Sequence, residues 1–408
     1  KVQTDKKAKQ KTRQWWNSYW KRSYVFIDSG KIGSDYWKVG RNYQLFRYML
    51  GCNAYGSEPT KFNGGLFTFD PVHIDSTRVF TPDFRLWGGG TMTAQNQRLV
   101  YFPMLKSGDF DMMKPQFDFY ERMLDNAKLR TKVYWNHGGA CFSEQIENFG
   151  LPNLAEYDWK PRHEGFPIGV DSNPWLEYTW DTALEFALMM FDAHLYNNEP
   201  IVPHLPFIES LLTFFDEHYS YLALRRGTNK LDGDGHLVLY PGSACETYKM
   251  ATNATSTVAA LKVITEKLLE LPELDATQRE HWSGFLKRIP PISHREVQGK
   301  KTISPAKMWE RINNSEVPSL YPVYPWRIYG IGQPELQTAI NTYLYDPEAI
   351  EFRSHIGWKQ DNIFAACLGL TEEAERLTLL KLSDGPHRFP AFWGPGFDWI
   401  PDHNWGGS

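Results

Sequence analysis

Apolar and aromatic residues recur at helical spacing along almost the whole of this 408-residue chain, and that period decides what the chain can fold into. Within 9–27, Trp16, Tyr19, Trp20, Ser23 and Tyr24 stand at i, i+3, i+4, i+7 and i+8, the stripe of a helix with one buried face. Trp37, Tyr43, Phe46, Arg47 and Leu50 repeat the stripe over 35–50, with Asp35 as a fair N-cap and Gly51 as a C-terminal stop. Further helices are predicted at 94–106, 113–133, 178–196, 204–224, 254–271, 275–288, 334–345, 359–369 and 371–382. Strand-like alternation is confined to short pieces, 65–69 and 236–240. Successive helices joined by turns leave a bundle, a solenoid or a closed barrel, and the lack of a repeat of fixed period counts against the solenoid. The loops at 51–93, 136–177, 225–253 and 289–333 are long and rich in Gly, Pro, Asn and Trp. Loops of that length in a compact domain are usually functional. The expected architecture is an all-α closed barrel of helices, one unit over 1–408, with its long loops gathered at one end.

Composition removes several function classes. A net charge of −4 and a pI near 6.3 provide no basic field for nucleic acid. The longest apolar run, around 184–191, is broken by Glu185 and is too short to span a membrane. Cys52, Cys141, Cys245 and Cys367 are widely scattered, without a CxxC pair or zinc spacing, and read as buried thiols rather than two disulfides. No signal peptide stands at the start, although Lys1 in place of Met reads as a trimmed or excised chain. Aromatic content is the informative quantity: 15%, with 16 Trp and 21 Tyr. Aromatic faces stack on the C–H faces of sugars, and indole and phenol groups donate to hydroxyls, although filling a large core is the competing use.

The polar residues that could carry chemistry fall in the loops and at helix starts. KFNGGLFTF (Lys61 to Phe69) brings Asn63 beside paired glycines, and WGGGTMTAQNQR (Trp87 to Arg98) puts three glycines ahead of a helix whose first turn carries Gln95, Asn96 and Arg98. YPGSACETY (Tyr240 to Tyr248) holds Glu246 in a small-residue loop, and in SHIGWKQDNIFAACLGL (Ser354 to Leu370) Asp361 opens a helix. Taken singly, Asp361 reads as a helix cap and Glu246 as a loop residue. Glycosidic cleavage needs two carboxyl groups, one protonated to assist the leaving oxygen and one ionised to activate water. Glu144, Glu177, Glu185 and Asp192 are rivals for those roles, and Glu185 and Asp192, at i and i+7, are expected as structural groups inside the barrel. The C-terminal stretch from Arg388 to Gly407 is too rich in Trp, Pro and Gly for a helix; it reads as a strap over the barrel, or as a source of Asp398, Asp402 or His403 at its mouth.

Four segments in this order resemble glycoside hydrolase family 95, the inverting α-L-fucosidases and α-L-galactosidases, through a more divergent bacterial group. QNQRLVYFP (Gln95 to Pro103) resembles the family's Asn-rich stretch, with Asn96 on one of its two water-orienting asparagines and Ala94 where the other would stand. YPGSACETY resembles the loop bearing the general acid, PSLYPVYPW (Pro318 to Trp326) the aromatic-proline stretch, and KQDNIFAACLG (Lys359 to Gly369) the helix start bearing the base. The resemblance implies an (α/α)6 barrel of the six-hairpin glycosidase kind, without the flanking β-domains typical of the family. It also implies an exo-acting, inverting hydrolase of plant, algal or host glycans, secreted or periplasmic in a bacterium. Glu246 would be the acid, Asp361 the base and Asn96 the group that orients the water, the two carboxyls standing roughly 6.5–9.5 Å apart. The missing counterpart at Ala94 leaves Gln95 or Gln360 to help hold the water. Asn63, Trp87, Gln95, Arg98, His355, Trp358, Gln360, Trp393 and Trp399 are candidates to contact an oligosaccharide or polysaccharide. No cofactor is implied, and no Asp/Asn/Glu loop shows calcium-site spacing. Sugar, linkage, anomer and oligomeric state are left open by the sequence. The rival readings are a polysaccharide lyase on a helical toroid, using Tyr or His to remove a proton, and a non-catalytic glycan-binding barrel.

Overall fold

The computed structural model describes residues 5–27, 30–52, 55–60, 77, 79, 91–152 and 164–385. Among these residues the fold rests on thirteen helices: α1 (Asp5–Arg22), α2 (Asp35–Cys52), α3 (Ala94–Ser107), α4 (Lys114–Arg122), α5 (Leu124–Trp135), α6 (Ala183–Asn197), α7 (Leu205–Arg225), α8 (Thr255–Glu270), α9 (Ala276–Arg288), α10 (Leu336–Tyr345), α11 (Pro347–Glu351), α12 (Asp361–Cys367) and α13 (Thr371–Lys381). Seven short strands sit in the connections: β1 (Met92–Thr93), β2 (Gln145–Ile146), β3 (Gly242–Ala244), β4 (Tyr248–Ala251), β5 (His294–Val297), β6 (Lys300–Ile303) and β7 (Arg311–Ile312).

A helix that is apolar all round must be buried all round. In α6 every residue from Ala183 to Ala193 is buried, and α3 and α8 are nearly as enclosed. These three form an inner series, α3 on α6 and α6 on α8, flanked by α7 and α9, which each keep an exposed face. The array closes on itself because α12 packs on α13 and α13 returns to α2. At that closure the Tyr36 hydroxyl donates to Glu375 at 2.5 Å and Asn42 Nδ2 donates to the Leu382 carbonyl at 2.6 Å. One hydrophobic cluster runs from Tyr19 through to Leu382. The fold is the (α/α)6 helical barrel.

The inner helices begin at one rim of the barrel. Glu144 accepts from the Gln95 amide in the first turn of α3 and from the Thr182 hydroxyl just ahead of α6, both at 2.6 Å. Asp181 accepts from Ser256 Oγ at 3.0 Å and Thr257 Oγ1 at 2.7 Å, in the first turn of α8. Two buried carboxyls thus stitch three helix N-termini together.

Several boundaries differ from the sequence expectation. The run 113–133 is two helices, broken at Met123, and 178–196 becomes helical only from Ala183. Gly51 is not a stop: it lies inside α2, where a Cβ would come within 2.9 Å of the Trp16 ring, so its role is to let α1 pack closely. Asp35 is the first helical residue of α2, and the Ser34 hydroxyl ahead of it accepts the Trp37 amide at 3.3 Å. The 236–240 piece is not a strand beyond a single bridge between Leu231 and Leu237, whereas the loops 225–253 and 289–333 contain β3 to β7. Segment 65–69 lies outside the described residues.

Candidate active site

The acid candidate sits at the tip of a hairpin. β3 and β4 pair antiparallel, with Ser243 opposite Lys249 and Ala244 opposite Tyr248, and β7 extends the sheet along β4. The turn is Cys245, Glu246 and Thr247, tight enough to force Cys245 to a φ of 52°, which non-glycine residues seldom adopt. Lys249, fully buried, pins the base of the hairpin: its ammonium donates to Ser243 Oγ at 2.6 Å, Thr179 Oγ1 at 3.0 Å and the Glu177 carbonyl at 3.2 Å. Burial, opposed by the nearby Glu246 and Glu316 charges, lowers its ammonium below the ordinary lysine range.

Glu246 accepts from Asn314 Nδ2 at 2.8 Å, and its backbone N–H donates to Glu316 Oε2 at 2.8 Å. Burial above all, then the charges of Glu316 and Glu144, push its carboxyl up to about 8. Asp361 opens α12 and is 1% exposed. Its Oδ2 accepts from the Ser354 amide at 3.2 Å, and among the described residues Oδ1 has no hydrogen-bond partner. Burial raises its pKa to about 6, against the lowering influence of Lys359, Arg353 and Lys381.

One short segment ties the two carboxyls into a common neighbourhood. Asn314 and Glu316 hold Glu246, while Ser315 between them accepts Lys359 Nζ on its carbonyl and, at 3.1 Å, on its hydroxyl. Lys359 stands two residues before Asp361, with its ammonium 4.6 Å from the Trp358 ring centroid, and burial lowers its pKa to about 8. Beneath this turn the buried Lys381 ammonium donates to the carbonyls of Gly357 at 2.6 Å and Lys359 at 2.7 Å.

Of the other residues singled out by sequence, Gln95 and Asn96 lie buried in the first turn of α3 at the rim. Arg98 is buried deeper, its guanidinium donating to Glu185 at 2.8 Å and to the Tyr321 hydroxyl at 2.6 Å. His355 and Trp358 are half-buried in the turn before α12, and Gln360 is buried beside Asp361. Asn63, Trp87, Trp393, Trp399, Asp398, Asp402 and His403 lie outside the described residues. Among the rival carboxylates, Glu185 is paired with Arg98, Asp192 with Arg327 and Glu177 with Arg311. Glu144 has no ion pair among the described residues, although both its oxygens accept hydrogen bonds, and burial first of all raises it to about 7. The four cysteines are free thiols, two buried and two half-buried.

Sequence reasoning missed Glu316, Lys249 and Lys359. Each is a charged residue with 7% exposure or less, and its only sequence signal is proximity to a motif that was recognised. Elsewhere, Asp232, Asp234 and His236 bring ligand-type atoms within 4.8 Å of one another, a grouping that calcium-site spacing did not anticipate. They line a cavity of about 420 Å³ that shares Asp232, Lys307 and Trp309 with a second of about 810 Å³; neither is lined by Glu246 or Asp361.

No family model matches the chain, and no curated protein does. Eighteen chains of known structure match. One is a human-microbiome protein described as a kojibiose phosphorylase, with a TM-score of 0.57 and 13% identity over 99% of this chain and 58% of that one. The chain therefore spans little more than half the length of this neighbour. At such identity the likeness is one of fold alone, and it does not single out family 95. Among the described residues no helix is long and apolar enough to cross a membrane.

Proposed function

We propose that the chain is a glycoside hydrolase, exo-acting and inverting, that removes a terminal sugar from an oligosaccharide or polysaccharide, with Glu246 as general acid and Asp361 as general base. The observation that carries this reading is that the segment 314–316 draws two buried carboxyls into one neighbourhood with opposite charge settings: Glu246 accepts Asn314 Nδ2 and lies near the like charges of Glu316 and Glu144, whereas Asp361 stands two residues from the Lys359 ammonium that Ser315 holds. Like charges favour the protonated form of Glu246 and the ammonium favours the ionised form of Asp361, the division of labour that glycosidic hydrolysis requires. Glu246 protonates the glycosidic oxygen as the bond to the anomeric carbon breaks. Asp361 takes a proton from the water that attacks the opposite face, so the configuration inverts. Gln95, Asn96 and Gln360 supply amides at the rim for the water and the sugar hydroxyls, and Trp358 supplies a stacking face. The resemblance to family 95 supports the same two roles; the sugar and linkage are those that the substrate panel below identifies.

A second reading, phosphorolysis at the same site, is favoured by the fold neighbour and by the Lys359 ammonium beside Asp361. An ionised Asp361 at the position of attack counts against it, because a carboxylate repels a phosphate dianion.

The test is product analysis over plant, algal and mucin glycans, with and without inorganic phosphate, for the wild type, Glu246→Gln and Asp361→Asn. Free monosaccharide of inverted anomeric configuration, lost in both variants, supports the hydrolase. Phosphate-dependent sugar 1-phosphate moves the assignment to phosphorolysis. An ultraviolet-absorbing unsaturated product, or release untouched by either substitution, overturns both.

A further inference from the structure

Glu316 lies in the loop after β7, is 2% exposed, and has no part in the acid/base pair above. Its carboxyl is surrounded by donors. Oε2 accepts the Glu246 backbone N–H at 2.8 Å and the Thr247 hydroxyl at 3.5 Å, Oε1 accepts the Tyr321 hydroxyl at 3.3 Å, and Arg98 Nη2 stands 3.8 Å from Oε1. In return the Glu316 N–H donates to Thr247 Oγ1 at 2.9 Å, so loop and hairpin tip hold each other by reciprocal bonds. The Glu246 carboxyl, in contrast, accepts a single bond from Asn314 among the described residues.

Two neighbouring buried carboxyls do not readily ionise together, and the proton stays where the anion is least well supported. Burial raises both carboxyls, Lys249 from β4 favours an anion on either, and Glu144 across the rim disfavours an anion on either. The difference lies in Arg98 from α3 and Lys359 from the turn before α12, which favour the anion on Glu316, and in the extra donors that Glu316 accepts. We propose that Glu316 is a positioning residue for Glu246: it clamps the hairpin tip through the backbone and, as the fixed anion of the pair, leaves the proton on the Glu246 side chain. This rests on the reading of Glu246 as the acid.

The test does not depend on a substrate. The carbonyl stretch of a protonated carboxyl is followed by infrared difference spectroscopy across a pH titration of the whole chain, and the Glu246 band is assigned by its loss in Glu246→Gln. Glu316→Gln keeps an oxygen for the Glu246 amide but removes the charge, and is expected to move the titration down by about one pH unit or more, a tenfold weaker hold on the proton. Glu316→Asp, which draws the charge back by one methylene, is expected to move it in the same direction by less, and decides the matter if the glutamine variant does not melt cooperatively. A Glu246 band that titrates as in the wild type in both variants overturns the role of Glu316 and leaves the acid standing. A wild-type spectrum with no band that Glu246→Gln removes overturns the acid assignment itself, and this proposal with it.

Discussion

The two ends of the barrel differ in how most of their buried acids are held. Towards the C-terminal ends of the inner helices, Asp192 in α6 takes both terminal nitrogens of Arg327, at 3.2 and 2.5 Å, and Asp109 after α3 takes Arg47 at 2.8 Å and Arg22 at 3.5 Å. At the N-terminal end Glu185 is likewise paired with Arg98, but Glu144, Asp181, Glu246 and Asp361 are hydrogen-bonded only by hydroxyls and amides among the described residues. Helix polarity accounts for part of the difference. An N-terminus carries roughly half a positive charge and a C-terminus half a negative one, so an acid at the lower end needs a full counter-ion, while one at the rim is partly supported by helix ends and neutral donors. The lower end is thereby closed by ion pairs, whereas at the rim burial raises the proton affinity of Glu144, Glu246 and Asp361.

The largest test of this contrast is catalytic. Glu246→Gln or Asp361→Asn at the rim is expected to lower turnover by about 10²–10⁴-fold, whereas Asp192→Asn below should leave the rate per folded molecule close to wild type; monosaccharide release normalised to folded protein checks both. Equal losses from all three would erase the distinction. Next comes stability. Asp109→Asn strands the buried Arg47 guanidinium and should cost about 3–5 kcal/mol, read as a lower midpoint in urea.

The pH dependence sharpens the comparison further. Glu144 and Asp361 bind protons more tightly when folded, at about 7 and about 6 against ordinary values of 4.5 and 3.8. Their contribution to stability is therefore complete below about pH 4 and is lost as pH rises through 6 to 7. The contribution of this pair to the melting temperature should fall between about pH 4 and 7, and Glu144→Gln should flatten that slope. Separately, kcat/KM should rise through about 6 and fall through about 8, and a profile flat across neutrality would contradict the assigned protonation states. The smallest expected effect is that of Thr257→Val, which removes one donor to Asp181 and should cost about 1 kcal/mol in thermal denaturation.

How much of this was legible beforehand follows from the range of the forces involved. Helix α6 could be read because its apolar residues are contiguous, and α12 because Asp361 precedes an apolar run. The break at Met123 could not, since neither Gly nor Pro marks it, and strands of two to four residues such as β3 and β7 are too short for alternation to register. At the proposed site, Glu246 and Asp361 stood out only through the resemblance to family 95, since taken singly they read as a loop residue and a helix cap. Glu316 was not, because its meaning comes from a backbone amide seventy positions away, brought near by the fold. Lys249 likewise became readable only through its register opposite Ser243.

The return of α13 onto α2 makes the order of helices around the barrel independent of where the chain is cut. Residues 35–52 and 371–381 are spatial neighbours, so a chain whose two ends were linked with α1 retained, and whose new termini were opened in an exposed turn such as that at Gly233–Gly235, would trace the same circuit from a different starting point. A permuted chain of this kind would need no new helix contacts. What it would change is the sequence distance between the inner helices α3 and α8, while that between Glu246 and Asp361 would stay as it is.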